Sequence, residues 1–278
     1  MKTRMLTALG MAVIGIPIII FSKWIVFPIA LALLSVVATF EMMRVFSAHK
    51  NLVLSLPAYL IAAAMPILAY FDFSRGEGIL KFLLIAVGAL FVYLIYLFFV
   101  AVFMRGELKY ATVSEIFTAS LYVISSFTAI SVMRYMTGGI WFLVMLLVAA
   151  WGSDTFAYFT GMLFGRHKLI PEISPKKTIE GSVGGIVCAT LLMTLFGFLV
   201  GSFTSLTPNY LVLVLSGLIL SAASQVGDLI ASLIKREHGI KDYGRVFPGH
   251  GGVMDRFDSV LSIATALMII CIIAPPFA

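Results

Sequence analysis

The chain has 278 residues, of which 61% are hydrophobic and 12% charged, whereas soluble domains carry about 45–50% apolar and about 25% charged residues. With a mean hydropathy of +1.09, this balance excludes a disordered chain, a disulfide scaffold and an ordinary water-soluble domain. The formal net charge of +6 sits in short loops beside apolar runs, without the interleaved aromatics of a nucleic-acid surface.

Nine apolar runs follow one another, near residues 6–22, 24–40, 52–71, 79–103, 112–133, 139–164, 180–203, 209–234 and 253–274. A membrane-crossing helix needs about 20 residues, so the pattern predicts an all-α, polytopic helical membrane protein with about nine transmembrane helices. The first run starts like a signal peptide, but Phe21-Ser22-Lys23-Trp24 offers no small-residue cleavage site, and a retained helix is expected. About five spans fall in residues 1–138 and about four in residues 139–278, the region that carries the chemistry-bearing motifs. Cys188 and Cys271 lie in apolar stretches and read as small buried hydrophobes.

With nine spans the two chain ends lie on opposite sides. A cytoplasmic N-terminus puts fifteen of the nineteen Lys and Arg inside, including Lys2, Arg4 and Arg105, and leaves Lys23, Arg75, Lys81 and Arg134 outside. The positive-inside bias therefore predicts cytoplasmic loops at 165–179 and 235–252, and a C-terminus outside. Small-residue pairs at Gly161–Gly165, Gly181–Gly185 and Gly197–Gly201 point to close helix packing.

Ionisable residues inside the spans are the informative anomaly, because each costs about 2.5 kcal/mol or more at mid-membrane. In the eighth span Ser221, Ser224, Gln225, Asp228 and Ser232 share one helix face, which Lys235 continues. Hydrogen bonding between helices would account for the serines and the glutamine, but Asp228 needs a cation or a proton. The ninth span opens with Asp255-Arg256-Phe257-Asp258, and at about 100° per residue its two aspartates lie within roughly 60° of each other. Oxygen ligands without clustered Cys or His favour a hard cation such as magnesium. Salt bridges to Arg256 or Lys235 are the plainer alternative. Asp154, after Trp151-Gly152-Ser153 in the sixth span, is either a fourth ligand or a structural partner.

The neighbouring loops are rich in cations and glycine. Residues 174–185 place Lys176, Lys177 and Thr178 just before a helix start, an arrangement suited to phosphate, although ordinary positive-inside lysines would look similar. The other loop carries Lys235, Arg236, Lys241, Arg245 and His250, the last lacking the companions of a zinc site. Phosphate-binding cations beside carboxylates at a membrane face suggest metal-assisted phosphoryl or nucleotidyl transfer to a lipid.

Residues 232–258, SLIKREHGIKDYGRVFPGHGGVMDRFD, resemble the signature of phosphatidate cytidylyltransferases, matching at Ser232, Lys235, Arg236, Lys241, Asp242, Gly244, Pro248, His250, Gly251, Gly252, Asp255, Arg256 and Asp258. Trp151, Gly152, Asp154, Ala157, Tyr158 and the run at 174–178 extend the similarity over roughly residues 150–260. The resemblance implies transfer of CMP from CTP to phosphatidic acid, in a homodimer of the plasma membrane with its site open to the cytoplasm. It implies magnesium, with a second cation left open, on Asp228, Asp255 and Asp258, and on Asp154 less firmly. Lys176, Lys177, Lys241, Arg245, His250 and Arg256 become the expected phosphate contacts; Thr178, Ser232, Lys235, Arg236 and Asp242 complete the expected substrate-binding set. A CTP-dependent lipid-alcohol kinase and an ion-coupled transporter are the rival readings, the first needing a base for its alcohol, the second an inverted repeat.

Overall fold

The computed structural model describes residues 2–74, 76, 79–104 and 108–278, with the side chains of 2–6, 8, 11, 12 and 74 left aside. The charges counted at Lys2, Arg4, Arg75 and Arg105 therefore lie outside the described set. Among the described residues there are nine α-helices, and eight of them, α2 to α9, are long and apolar enough to cross a membrane. The chain divides into two compact units, one formed by Met1–Tyr135 with Asp242–Arg256, the other by Met136–Lys241 with Phe257–Ala278.

The first unit contains α1 (Lys2–Ile20), α2 (Val26–Val45), α3 (Leu52–Ser74), α4 (Ile79–Phe103) and α5 (Tyr110–Tyr135). Lipid cannot hydrogen-bond a polar group, and several polar side chains in these helices bind backbone oxygens within the protein. Tyr93 donates to Leu54 O at 3.0 Å, Tyr96 to Val53 O at 2.8 Å, and Ser131 to Pro66 O at 2.8 Å. The second helix departs from its expected bounds of 24–40. It continues through Glu41 and Arg44, whose polar atoms are satisfied within the unit: Glu41 accepts from Val253 N, and Arg44 donates to Tyr243 O.

The second unit contains α6 (Gly139–Phe164), a two-stranded antiparallel hairpin of β1 (Lys168–Ile170) and β2 (Ser174–Thr178), α7 (Ile179–Phe203) and α8 (Tyr210–Glu237). The ninth helix, α9 (Met254–Ile273), begins in the first unit and continues through the second. Thr178 ends β2 and caps α7, its hydroxyl accepting from Gly181 N at 3.2 Å. Glycine lets α6 and α7 close around that hydroxyl: a Cβ on Gly161 or Gly181 would come within 2.8 Å of Thr178 Oγ1. Glu180, in the first turn of α7, accepts from the backbone of Arg166 and His167 and meets His167 Nδ1 at 2.6 Å, which fastens the hairpin's entry. At the other end of α7, Thr207 exchanges backbone hydrogen bonds with Ala278, and Phe277 is buried against Phe142 and Phe196.

Candidate active site

In the second unit the polar face of α8 splits into two parts. Its deeper part is interhelical glue. Gln225 Nε2 donates to Ser153 Oγ at 3.0 Å and to Ser182 O at 3.1 Å, Ser182 Oγ donates to Gln225 Oε1 at 2.5 Å, and Ser153 Oγ donates to Ser221 O at 3.2 Å. The next turn is ionic. Lys177 Nζ lies 2.6 Å from Asp228 Oδ2 and 3.4 Å from Gln225 O, so the hairpin delivers its cation to the α8 carboxylate. One turn before Asp228, the buried Ser224 Oγ has no hydrogen-bond partner among the described residues.

A pair of carboxylates meets across α6 and α9. Ser259 Oγ donates to Asp154 Oδ2 at 2.8 Å and lies 3.4 Å from Asp258 Oδ1, which also accepts from Ser259 N at 2.9 Å. Ser259 was not among the residues expected from sequence; its signal would have been a hydroxyl adjoining the Asp258 carboxylate. Asp154 and Asp258, expected on separate spans, are brought to one hydroxyl.

The first unit holds Asp255. Its Oδ2 accepts from Tyr243 N at 2.7 Å and from Gly252 N at 2.9 Å, closing the segment that precedes α9. Glu41 adds two more acceptors there, Oε1 for Val253 N at 3.0 Å and Oε2 for Met254 N at 2.9 Å. Glu41 escaped sequence reasoning because it follows directly on the apolar run ending at Phe40, where a charge reads as a loop.

The remaining expected residues lie on the loops and helix ends. Lys176, Arg236, Lys241, Asp242, Arg245 and Arg256 are exposed, while Ser232, Lys235 and His250 are partly covered. Among the described residues, no three His, Cys, Asp or Glu side chains stand close enough together to hold one metal ion. The donor chemistry nevertheless suits a hard cation: carboxylates at Asp154, Asp228 and Asp258 and hydroxyls at Ser224 and Ser259, all oxygen.

The cytidylyltransferase family model matches residues 2–274, and so reaches through the N-terminal helices as well as the motif-bearing ones. The chain is 35% identical over 267 residues to a protein of Bacillus subtilis named phosphatidate cytidylyltransferase, which covers 95% of this chain and 94% of the relative. Proteins of the same name from Staphylococcus haemolyticus, 32% identical over 273 residues, and Staphylococcus epidermidis, 34% identical over 275 residues, each cover 98% of this chain and 99% of their own length. A match that runs from one end to the other makes the chain a member of the cytidylyltransferase family.

Proposed function

We propose that the chain transfers the CMP moiety of CTP to phosphatidic acid, giving CDP-diacylglycerol and pyrophosphate, at the cytoplasmic face of the plasma membrane. The observation that carries the reading is a lysine and three carboxylates held among apolar helices, Lys177 on Asp228 and Ser259 between Asp154 and Asp258. The relatives' name supports phosphatidate as acceptor. Neither the lipid-alcohol kinase nor the transporter draws support from them.

A phosphate oxygen of the lipid attacks the α-phosphorus of CTP. The new P–O bond forms as the bond to the bridging α–β oxygen breaks, and pyrophosphate leaves with the electron pair. The second pKa of a phosphate monoester is about 6, so near neutrality the nucleophile is already mostly ionised and needs no strong base. Lys177 and the exposed Lys176 on β2 bring positive charge to the phosphates, and Lys235, Arg236, Lys241, Arg245, His250 and Arg256 are the further candidates for that task. Of the carboxylates expected to hold magnesium, Asp228, Asp258 and Asp154 belong to the second unit and Asp255 to the first; magnesium, when bound, would neutralise charge on the triphosphate. A homodimer, implied by the motif resemblance, belongs to the same reading.

The test uses purified full-length protein, phosphatidic acid, magnesium and CTP labelled at one phosphorus. Label at the α-phosphorus is expected in the lipid, label at the γ-phosphorus in free pyrophosphate, and EDTA should abolish both until magnesium is restored. Label from the γ-phosphorus in lipid, with α-label left in CDP, would overturn the synthase reading in favour of a kinase.

A further inference from the structure

Glu41 is 1% exposed on α2, yet both its carboxylate oxygens are engaged far away in sequence, on the amides of Val253 and Met254. Those amides open α9, where the helix has no carbonyls of its own to offer them. The residue before them is Gly252, which has no side chain to act as a cap. A carboxylate from another helix does that work. The fit around it is tight: a Cβ on Gly244 or on Gly252 would fall inside the space of the Glu41 carboxylate. One turn along α2, Arg44 donates to Tyr243 O, while the Tyr243 and Gly252 amides close on Asp255 Oδ2. Two side chains of α2 thus hold both ends of the segment from Tyr243 to Met254, and Asp255 ties those ends together.

We propose that Glu41 is a positioning residue for CMP transfer, setting the first turn of α9 and with it the placement of Asp255. The proposal rests on the synthase reading. It also accounts for two signature residues that the chemistry leaves unused, since Gly244 and Gly252 make room for Glu41. A glutamate that merely filled space would need neither two backbone donors nor two bare α-carbons around it.

The test compares wild type with Glu41→Gln, Glu41→Asp and Gly252→Ala as folded, monodisperse full-length protein in detergent. Gln keeps the reach but turns an NH2 toward one amide, Asp keeps both acceptors but is a methylene short, and Gly252→Ala pushes on the carboxylate without removing any polar group. Loss of such a charge-assisted hydrogen bond corresponds to about tenfold or more, so kcat for CMP transfer should fall by about that factor in all three. KM for CTP should change by a smaller factor than kcat, because none of the three substitutions removes a phosphate-binding side chain. Amide exchange in peptides covering 252–256 should accelerate, while peptides of α3 and α5 keep their protection. A wild-type kcat in folded Glu41→Gln, or a fallen kcat with unchanged exchange at 252–256, overturns the proposal. Should Glu41→Gln fail to fold, Gly252→Ala decides by the same two readings. If wild type itself moves no CMP into lipid, the synthase reading fails by that measurement, and unchanged exchange would separately remove Glu41 from its place at α9.

Discussion

The hydroxyl of Ser259 donates to Asp154 Oδ2 at 2.8 Å, tying the start of α9 to the middle of α6. With Asp258 Oδ1 at 3.4 Å, the same oxygen stands between two carboxylates that would otherwise repel. A hydrogen bond to a charged group contributes roughly 1.5–3 kcal/mol. Ser259→Ala should therefore lower kcat/KM by about tenfold to a hundredfold, without change in the protein's elution profile. Initial rates of label transfer from CTP to lipid measure it. Wild-type turnover would reduce Ser259 to packing.

Lys177 and Asp228 should behave as one unit. Lys177→Ala is expected chiefly to raise KM for CTP, and Asp228→Asn to cut kcat by orders of magnitude, with the double variant less impaired than the two losses multiplied. Contacting charges couple by about 0.5–3 kcal/mol in such cycles. Lys176→Ala should raise KM by less, because Lys176 is exposed and shares no carboxylate in an ion pair among the described residues. Strictly multiplicative effects of Lys177→Ala and Asp228→Asn would mean that the 2.6 Å pair has no part in the reaction.

Which parts of this arrangement the sequence discloses follows from how far each signal reaches. Apolar runs are local and long, so spans such as 79–103 and 139–164 coincide with α4 and α6. The face of α8 is legible because helical spacing alone aligns Gln225 and Asp228. The hairpin is not: apart from Pro175, Ser174–Thr178 is polar, with no alternation to mark a strand. Glu41 is hidden for a different reason, its partners lying more than two hundred residues away. Nor does the sequence reveal that Asp242–Arg256 packs with the N-terminal helices, since chain continuity suggests the opposite. The glycine spacings announce close packing, but not that Thr178 is the group enclosed between Gly161 and Gly181.

Asp255 invites a test that separates charge from architecture. Its Oδ2 accepts from two backbone amides, and an asparagine oxygen can take both of those bonds. Asp255→Asn should thus keep the loop closed, with a melting temperature near wild type, while activity falls by orders of magnitude if the negative charge serves the substrate or a cation. Asp255→Ala should lose both, because two buried amides would be stranded at about 1–3 kcal/mol each. Thermal unfolding in detergent beside initial rates distinguishes them. An active Asp255→Asn would restrict Asp255 to closing the loop.

Topology can be tested without fusing anything to the C-terminus, a point the structure makes important. Ala278 exchanges backbone hydrogen bonds with Thr207, and Phe277 is buried between aromatic rings, so a reporter attached there would strain the element it reports on. Single cysteines at exposed positions avoid that. Glu172 lies between β1 and β2 and Arg236 in the last turn of α8, both in segments expected inside, and Ser205 lies between α7 and α8, expected outside. Cys188 would first be replaced by alanine, while Cys271 is buried and can stay. In intact cells a membrane-impermeant maleimide should label Ser205→Cys and spare Glu172→Cys and Arg236→Cys until the cells are opened. The lopsided distribution of Lys and Arg is the physical reason to expect that result, because basic loops resist translocation. Labelling of Glu172→Cys in intact cells would invert the orientation, and would place the Lys177–Asp228 pair on the side away from cytoplasmic CTP.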